Sequence, residues 1–158
     1  MSKKTMGIII FAVVIVAAIV TAVLLIKPEK EISGTLEEIM EKIYGNIPEE
    51  ELPMMLGNIE LTSENIEEFI GTTNVKYKEA IANESMTGSI AHSVVLLKLE
   101  NSSDAPEVVK EIKNNVNPRK WICVEASKVV VKNRGDIVIL IMSSDELAPK
   151  LEKNFNNL

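Results

Sequence analysis

From Gly7 to Ile26 the chain reads GIIIFAVVIVAAIVTAVLLI, with no charged side chain and Thr21 as its only hydrogen-bonding one. At about 1.5 Å of rise per residue, a helix of roughly twenty residues spans about 30 Å, the thickness of a bilayer core. A helix also satisfies its own backbone polar groups, as lipid requires. The run therefore predicts a transmembrane helix. Its rival is a cleaved signal peptide, whose apolar region is about 7–15 residues long. Val20-Thr21-Ala22 offers small residues of the kind found at a cleavage site. Apolar residues nevertheless continue through Val23, Leu24, Leu25 and Ile26, as an anchor needs, and no cysteine is near for lipid attachment.

The expected organisation is a cytoplasmic tail over 1–6, a transmembrane helix over 7–26, a linker over 27–34 and one domain over 35–158. Lys3, Lys4 and the amino terminus flank one end of the run, and Lys27 and Lys30 the other. The short tail with two lysines reads as the cytoplasmic end. The protein is then a single-pass protein of the cell membrane, with its C-terminal domain outside the cytoplasm.

Beyond the anchor the charge is uneven. Residues 29–68 hold 12 acidic and 2 basic side chains, whereas residues 69–158 hold 11 acidic and 12 basic ones. Phosphate backbones need a basic field, so nucleic acid is excluded as a partner. The single cysteine, Cys123, rules out an intramolecular disulfide. Its neighbours Trp121, Ile122 and Val124 are apolar, which predicts an inert, buried thiol.

Thr35 with Glu38 forms a capping-box pattern, and Leu36, Ile39, Met40 and Ile43 fall on one helical face. Pro48 to Leu56 reads as irregular, followed by a short helix from near Ser63 to Gly71. Strands are expected over Val75–Ile81 and Ile90–Leu99. Asn101-Ser102-Ser103-Asp104 then breaks the chain and caps a helix with Val108, Val109, Ile112 and Val116 inward, ended by Pro118. Asn133-Arg134-Gly135-Asp136 is a hairpin signal between strands at Val124–Val131 and Ile137–Met142. The second of these is apolar at every position, as a strand covered on both faces should be. A helix opened by Ser143 or Ser144 closes the chain, with Leu147, Leu151 and Phe155 on one face. The fold class is α+β: a mostly antiparallel sheet of about four strands with packed helices, in the order β-β-α-β-β-α after one or two N-terminal helices.

Three blocks, Ile90-Ala91-His92-Ser93, Pro118 through Ala126 (PRKWICVEA), and Leu140-Ile141-Met142-Ser143, together resemble a family of envelope proteins of clostridia-like bacteria, domain of unknown function 4358. The resemblance spans roughly Leu36 to Phe155. It implies an exported, N-terminally anchored or lipid-modified protein, although this chain lacks the lipid-accepting cysteine. It implies no activity and assigns no site residue.

No residue set passes as a catalytic centre, so the chain is read as a non-enzyme. His92 is the only histidine and the natural candidate for a base or ligand. Adjacent strand residues face opposite ways, so Ser93 cannot easily pair with it. A histidine bonded to backbone at a strand start is the favoured reading. One histidine and one cysteine are too few for a zinc site, and Glu49-Glu50-Glu51 lacks the spacing of a calcium loop, so no cofactor or metal is expected. Arg134-Gly135-Asp136 spells an adhesion tripeptide but is explained as turn chemistry. Asn83-Glu84-Ser85 and Asn101-Ser102-Ser103 match glycan acceptors that matter only in a eukaryotic host.

Arg119 and Lys120 belong to a loose basic set with Lys128, Lys132 and Arg134. Trp121 follows them, placed either as a core anchor or as the lining of a groove. His92, Arg119, Lys120 and Trp121 are therefore the candidate interaction residues. The function expected is a membrane-anchored, extracytoplasmic binding domain of the bacterial envelope. Its partners are the bilayer, through residues 7–26, and an envelope protein or cell-wall polymer. The alternatives are an envelope enzyme using His92, or an assembly subunit docking through residues 29–68 and Met54-Met55-Leu56.

Overall fold

The computed structural model describes residues 32–158; the expected tail, transmembrane helix and most of the linker lie outside them. Among the described residues no helix is long and apolar enough to cross a membrane. These residues form an α+β domain built on one five-stranded antiparallel sheet.

The chain enters through α1 (Leu36–Tyr44). Its start is fixed by the capping box: the Glu38 N–H donates to Thr35 Oγ1, and the Thr35 N–H donates to Glu38 Oε2. Then follow β1 (Leu56–Glu60), α2 (Ile66–Ile70), β2 (Glu79–Ser85) and β3 (Ser93–Lys98). The last four elements are α3 (Ala105–Asn115), β4 (Lys128–Arg134), β5 (Ile137–Ser143) and α4 (Ala148–Asn156). Spatial order across the sheet is β1-β2-β3-β5-β4.

Helices cover both faces of the sheet. On one, Ala82, Val95, Leu97, Val138, Leu140 and Met142 pack against Phe69 and Ile70 of α2 and Val108 and Ile112 of α3. On the other, Ile81, Val94, Leu96, Ile137, Ile139 and Ile141 pack against Ile39 and Ile43 of α1 and Leu151 and Phe155 of α4. β5 is thus apolar from Ile137 to Met142 because odd and even residues each meet a helix layer, and all seven of its residues are buried. Each such side chain contributes roughly 1.5–3 kcal/mol.

Gly71 ends α2 with φ of 79°, and a Cβ there would lie 2.1 Å from the Asn115 carbonyl oxygen. No other residue lets α2 approach the end of α3 so closely.

Several expectations are corrected. The sheet has five strands, not four: the added strand is β1, whose sequence LGNIE carries a glycine and no strong alternation. Leu56 opens that strand rather than closing an irregular segment. β2 begins at Glu79, several residues after Val75, because Val75 joins the core from a loop. β3 and β4 likewise begin at Ser93 and Lys128, later than Ile90 and Val124. Of the inward face expected for α3, Val108 and Ile112 are buried, while Val109 and Val116 are half-buried. Neither Ser143 nor Ser144 starts α4 directly. Ser144 Oγ accepts the Leu147 N–H in a turn, and the helix follows at Ala148. Cys123 is exposed, with φ of 62°. The loop between α3 and β4 turns its apolar run outward beyond Trp121.

Candidate functional site

Two polar constellations lie at the end of the sheet where β2 finishes and β3 begins, one on each face. The first belongs to the α1 face. His92, one residue ahead of β3, is 1% exposed. Its Nδ1 lies 2.8 Å from Ser143 Oγ at the end of β5, and its Nε2 lies 2.7 Å from the Tyr44 hydroxyl at the end of α1. Burial lowers the imidazole pKa to about 4 and pushes the Tyr44 hydroxyl above the ordinary phenol range. The ring is therefore neutral, with one nitrogen donating and the other accepting. Two hydroxyl partners satisfy both nitrogens. The expectation of a backbone-bonded ring is corrected: the backbone of His92 bonds Ile90 and Ser85, while its ring ties a helix to a strand through side chains. Among the described residues no carboxylate joins the group, so they do not form a base held by an orienting acid.

The second constellation is on the α2 face. β2 alternation puts Glu84 with Ala82 on this side, where it receives two donors from the loop after α3. Lys120 Nζ lies 2.6 Å from Glu84 Oε2, and Trp121 Nε1 donates to Glu84 Oε1 at 2.9 Å. The ammonium also sits 4.0 Å from the Phe69 ring centroid and 5.3 Å from that of Trp121. Such placement over aromatic faces adds cation–π attraction. The ion pair is largely enclosed, with both side chains 14% exposed. Ser93, the register partner of Glu84 on β3, is buried, and its hydroxyl has no hydrogen-bond partner among the described residues.

Around this ion pair opens a pocket of about 570 Å³, walled by Glu67, Glu68 and Phe69 of α2, by Ile59, and by Met86 and Trp121. Its rim is apolar. Met54 is 69% exposed, Met55 68%, Met86 63% and Ile122 77%. They converge because the Met86 N–H donates to the Met55 carbonyl, Ser85 Oγ donates to the Met54 carbonyl, and the Ile122 N–H donates to the Gly88 carbonyl.

Of the four candidates read from sequence, the structure brings Lys120 and Trp121 together. Arg119 points away, in an exposed ion pair with Glu125 at 3.0 Å. His92 belongs to the other face. Glu84, which organises the pair, was visible in the sequence only as the middle of a glycan-acceptor pattern. The Arg134 guanidinium donates to the carbonyls of Phe155, Asn156 and Leu158. That clamps the end of α4 and leaves the tripeptide no adhesive arginine. Among the described residues no cluster of side chains could hold a metal ion.

No family model, no curated protein and no solved structure matches this chain.

Proposed function

We propose that this chain is a non-enzymatic interaction protein, tethered to the cell membrane by residues 7–26, that docks an envelope protein at the Lys120–Trp121 end of its sheet. The observation that carries the proposal is the exposed Met86 in the wall of the pocket, with the exposed Met54, Met55 and Ile122 on segments hydrogen-bonded to the Ser85–Gly88 stretch that lines it. Scattered apolar side chains are ordinary on protein surfaces, but a contiguous patch with a charged, aromatic-walled recess at its centre is typical of partner sites. Methionines suit such a role, since their unbranched side chains adapt to the surface they meet.

Orientation outside the cytoplasm, and an envelope setting in a clostridia-like bacterium, are supported by the tail lysines and by the three blocks quoted above. A non-catalytic reading is supported by the closed geometry of His92, whose two ring nitrogens are both engaged. The acidic balance of the domain argues against nucleic acid.

The test is site-resolved photo-crosslinking of the full chain in native membranes. A crosslinking residue at Met86 or Ile122 should give a discrete adduct. The same residue at the exposed Lys113 on α3 should give none. Equal labelling at all three positions, or none at any, would remove the proposal.

A further inference from the structure

The open edge of the sheet runs beside the pocket, and its hydrogen-bonding pattern says what could lie along it. The Leu61 N–H donates to the Ala80 carbonyl, and the Met86 N–H to the Met55 carbonyl. Odd-numbered positions of this segment therefore face β2, and the N–H and C=O groups of Leu56, Asn58 and Glu60 point outward. Among the described residues β1 pairs only with β2. Of these outward groups, only the Glu60 carbonyl is engaged among the described residues, by Asn65 Nδ2. Strand edges with free backbone groups accept further strands unless they are guarded. The far edge, β4, carries Lys128, Lys132 and Arg134; β1 carries no lysine, arginine or proline.

A strand laid against β1 would sit about 4.8 Å away and send alternate side chains to the α2 face of the sheet. There it would meet Ile59 and the exposed Met86 side chain, which lies over Gly57 with Sδ 3.3 Å from where a Cβ would stand. Gly57 is opposite Glu84 and leaves that flexible methionine as the cover between them. Incoming side chains would reach the pocket by displacing Met86, an unbranched and adaptable chain, and the walls there include Glu67 and Glu68. Neither forms an ion pair among the described residues. Glu84 is already neutralised by Lys120, so the recess keeps a net negative charge beside an aromatic wall, which favours a cationic side chain.

Resting on the docking reading above, we propose that β1 takes up an extended, cationic segment of a partner protein as a sixth strand, with a Lys or Arg side chain held between Glu67, Glu68 and Trp121. Charge decides against a second copy of this chain, since β1 belongs to the strongly acidic 29–68 region and would face itself. Position decides against the bilayer. Leu36, where the tether joins the domain, shares a surface depression with Glu60 and Glu79, at the opposite end of β1 and β2 from Met54, Met55 and Met86.

The experiment uses the full chain in detergent micelles and three fluorescent octapeptides. One alternates Val and Lys, one alternates Val and Glu, and the third is the Val–Lys peptide N-methylated at every second amide. Trp121, the only tryptophan, reports entry into the pocket. The Val–Lys peptide should bind and shift Trp121 emission, and both other peptides should bind roughly tenfold more weakly or not at all. Glu67→Gln with Glu68→Gln should weaken the Val–Lys peptide and flatten its salt dependence. Asn58→Pro should abolish binding while Asn58→Ala keeps it, because proline removes an outward N–H that the sheet does not use. If Asn58→Pro fails to fold, the N-methylated peptide still tests strand addition from the ligand's side. Equal binding of the N-methylated peptide would overturn strand addition, and equal binding of the Val–Glu peptide would overturn cation selection. Failure of all three peptides while Met86 and Ile122 adducts persist would end this inference and leave the docking reading standing.

Discussion

At one end of the same sheet, Tyr44–His92–Ser143 and Glu84–Lys120–Trp121 do opposite things with polar side chains. The first is neutral, closed and complete, each histidine nitrogen having one hydroxyl partner. The second is charged and framed by aromatic rings, and it lies in the wall of a pocket. The difference teaches that a lone histidine is a poor guide to a site. Isolation from water turned His92 into a bolt between α1 and β5, whereas an ordinary Glu–Lys pair came to line a pocket.

The largest effect is expected at His92. His92→Ala should destabilise the domain by roughly 3–4 kcal/mol, since it leaves a cavity and two buried hydroxyls without partners. Crosslinking at Met86 should persist wherever the variant remains folded. A stable His92→Ala protein that loses its adduct would make the closed group the functional one.

Acidity gives the next largest effect. Because burial lowers the folded-state pKa of His92 to about 4, folding favours the neutral ring. Its contribution is complete above the unfolded pKa near 6.5 and is lost as pH falls toward 4, to the extent of about 3 kcal/mol. Denaturant titrations of wild type and His92→Asn at pH 8, 6, 5 and 4 should converge as pH falls. Parallel curves would show that the ring is not held neutral.

On the open side, Lys120→Met should cost about 2 kcal/mol of stability by leaving Glu84 enclosed without its cation. It should also lower the crosslinking yield at Ile122. Chemical denaturation with and without 1 M salt separates the two sides, because only the charged group responds to screening. The smallest change is Trp121→Phe. It keeps the aromatic wall and deletes one donor to Glu84, for about 1 kcal/mol and a modest fall in docking. A loss as large as that of Lys120→Met would show that Trp121 is itself the anchor.

The sequence was informative where one segment decides its own environment. Thr35 and Glu38 specify a cap between themselves, and the unbroken apolar run of β5 required two covering layers. Asn133 through Asp136 located the hairpin. What stayed hidden depends on contacts between distant segments. β1 becomes a strand because β2 offers it a partner, not because Leu56 to Glu60 alternates. Cys123 looked interior by its neighbours, but a positive φ in its loop carries the run outward past Trp121. Half of the candidate site was legible, in Lys120 and Trp121. Glu84 lies far from both in sequence, and nothing in its own segment announced the pairing.

Gly71 has a consequence for ancestry. With a Cβ there only 2.1 Å from the Asn115 carbonyl oxygen, no substitution can be accommodated without separating α2 from α3, and α2 is the wall that carries Glu67, Glu68 and Phe69. Surface residues of the pocket can be substituted without moving the backbone, but this position cannot. A glycine that closes the helix after the first strand would therefore mark distant descendants of the same domain after every charged contact had been replaced.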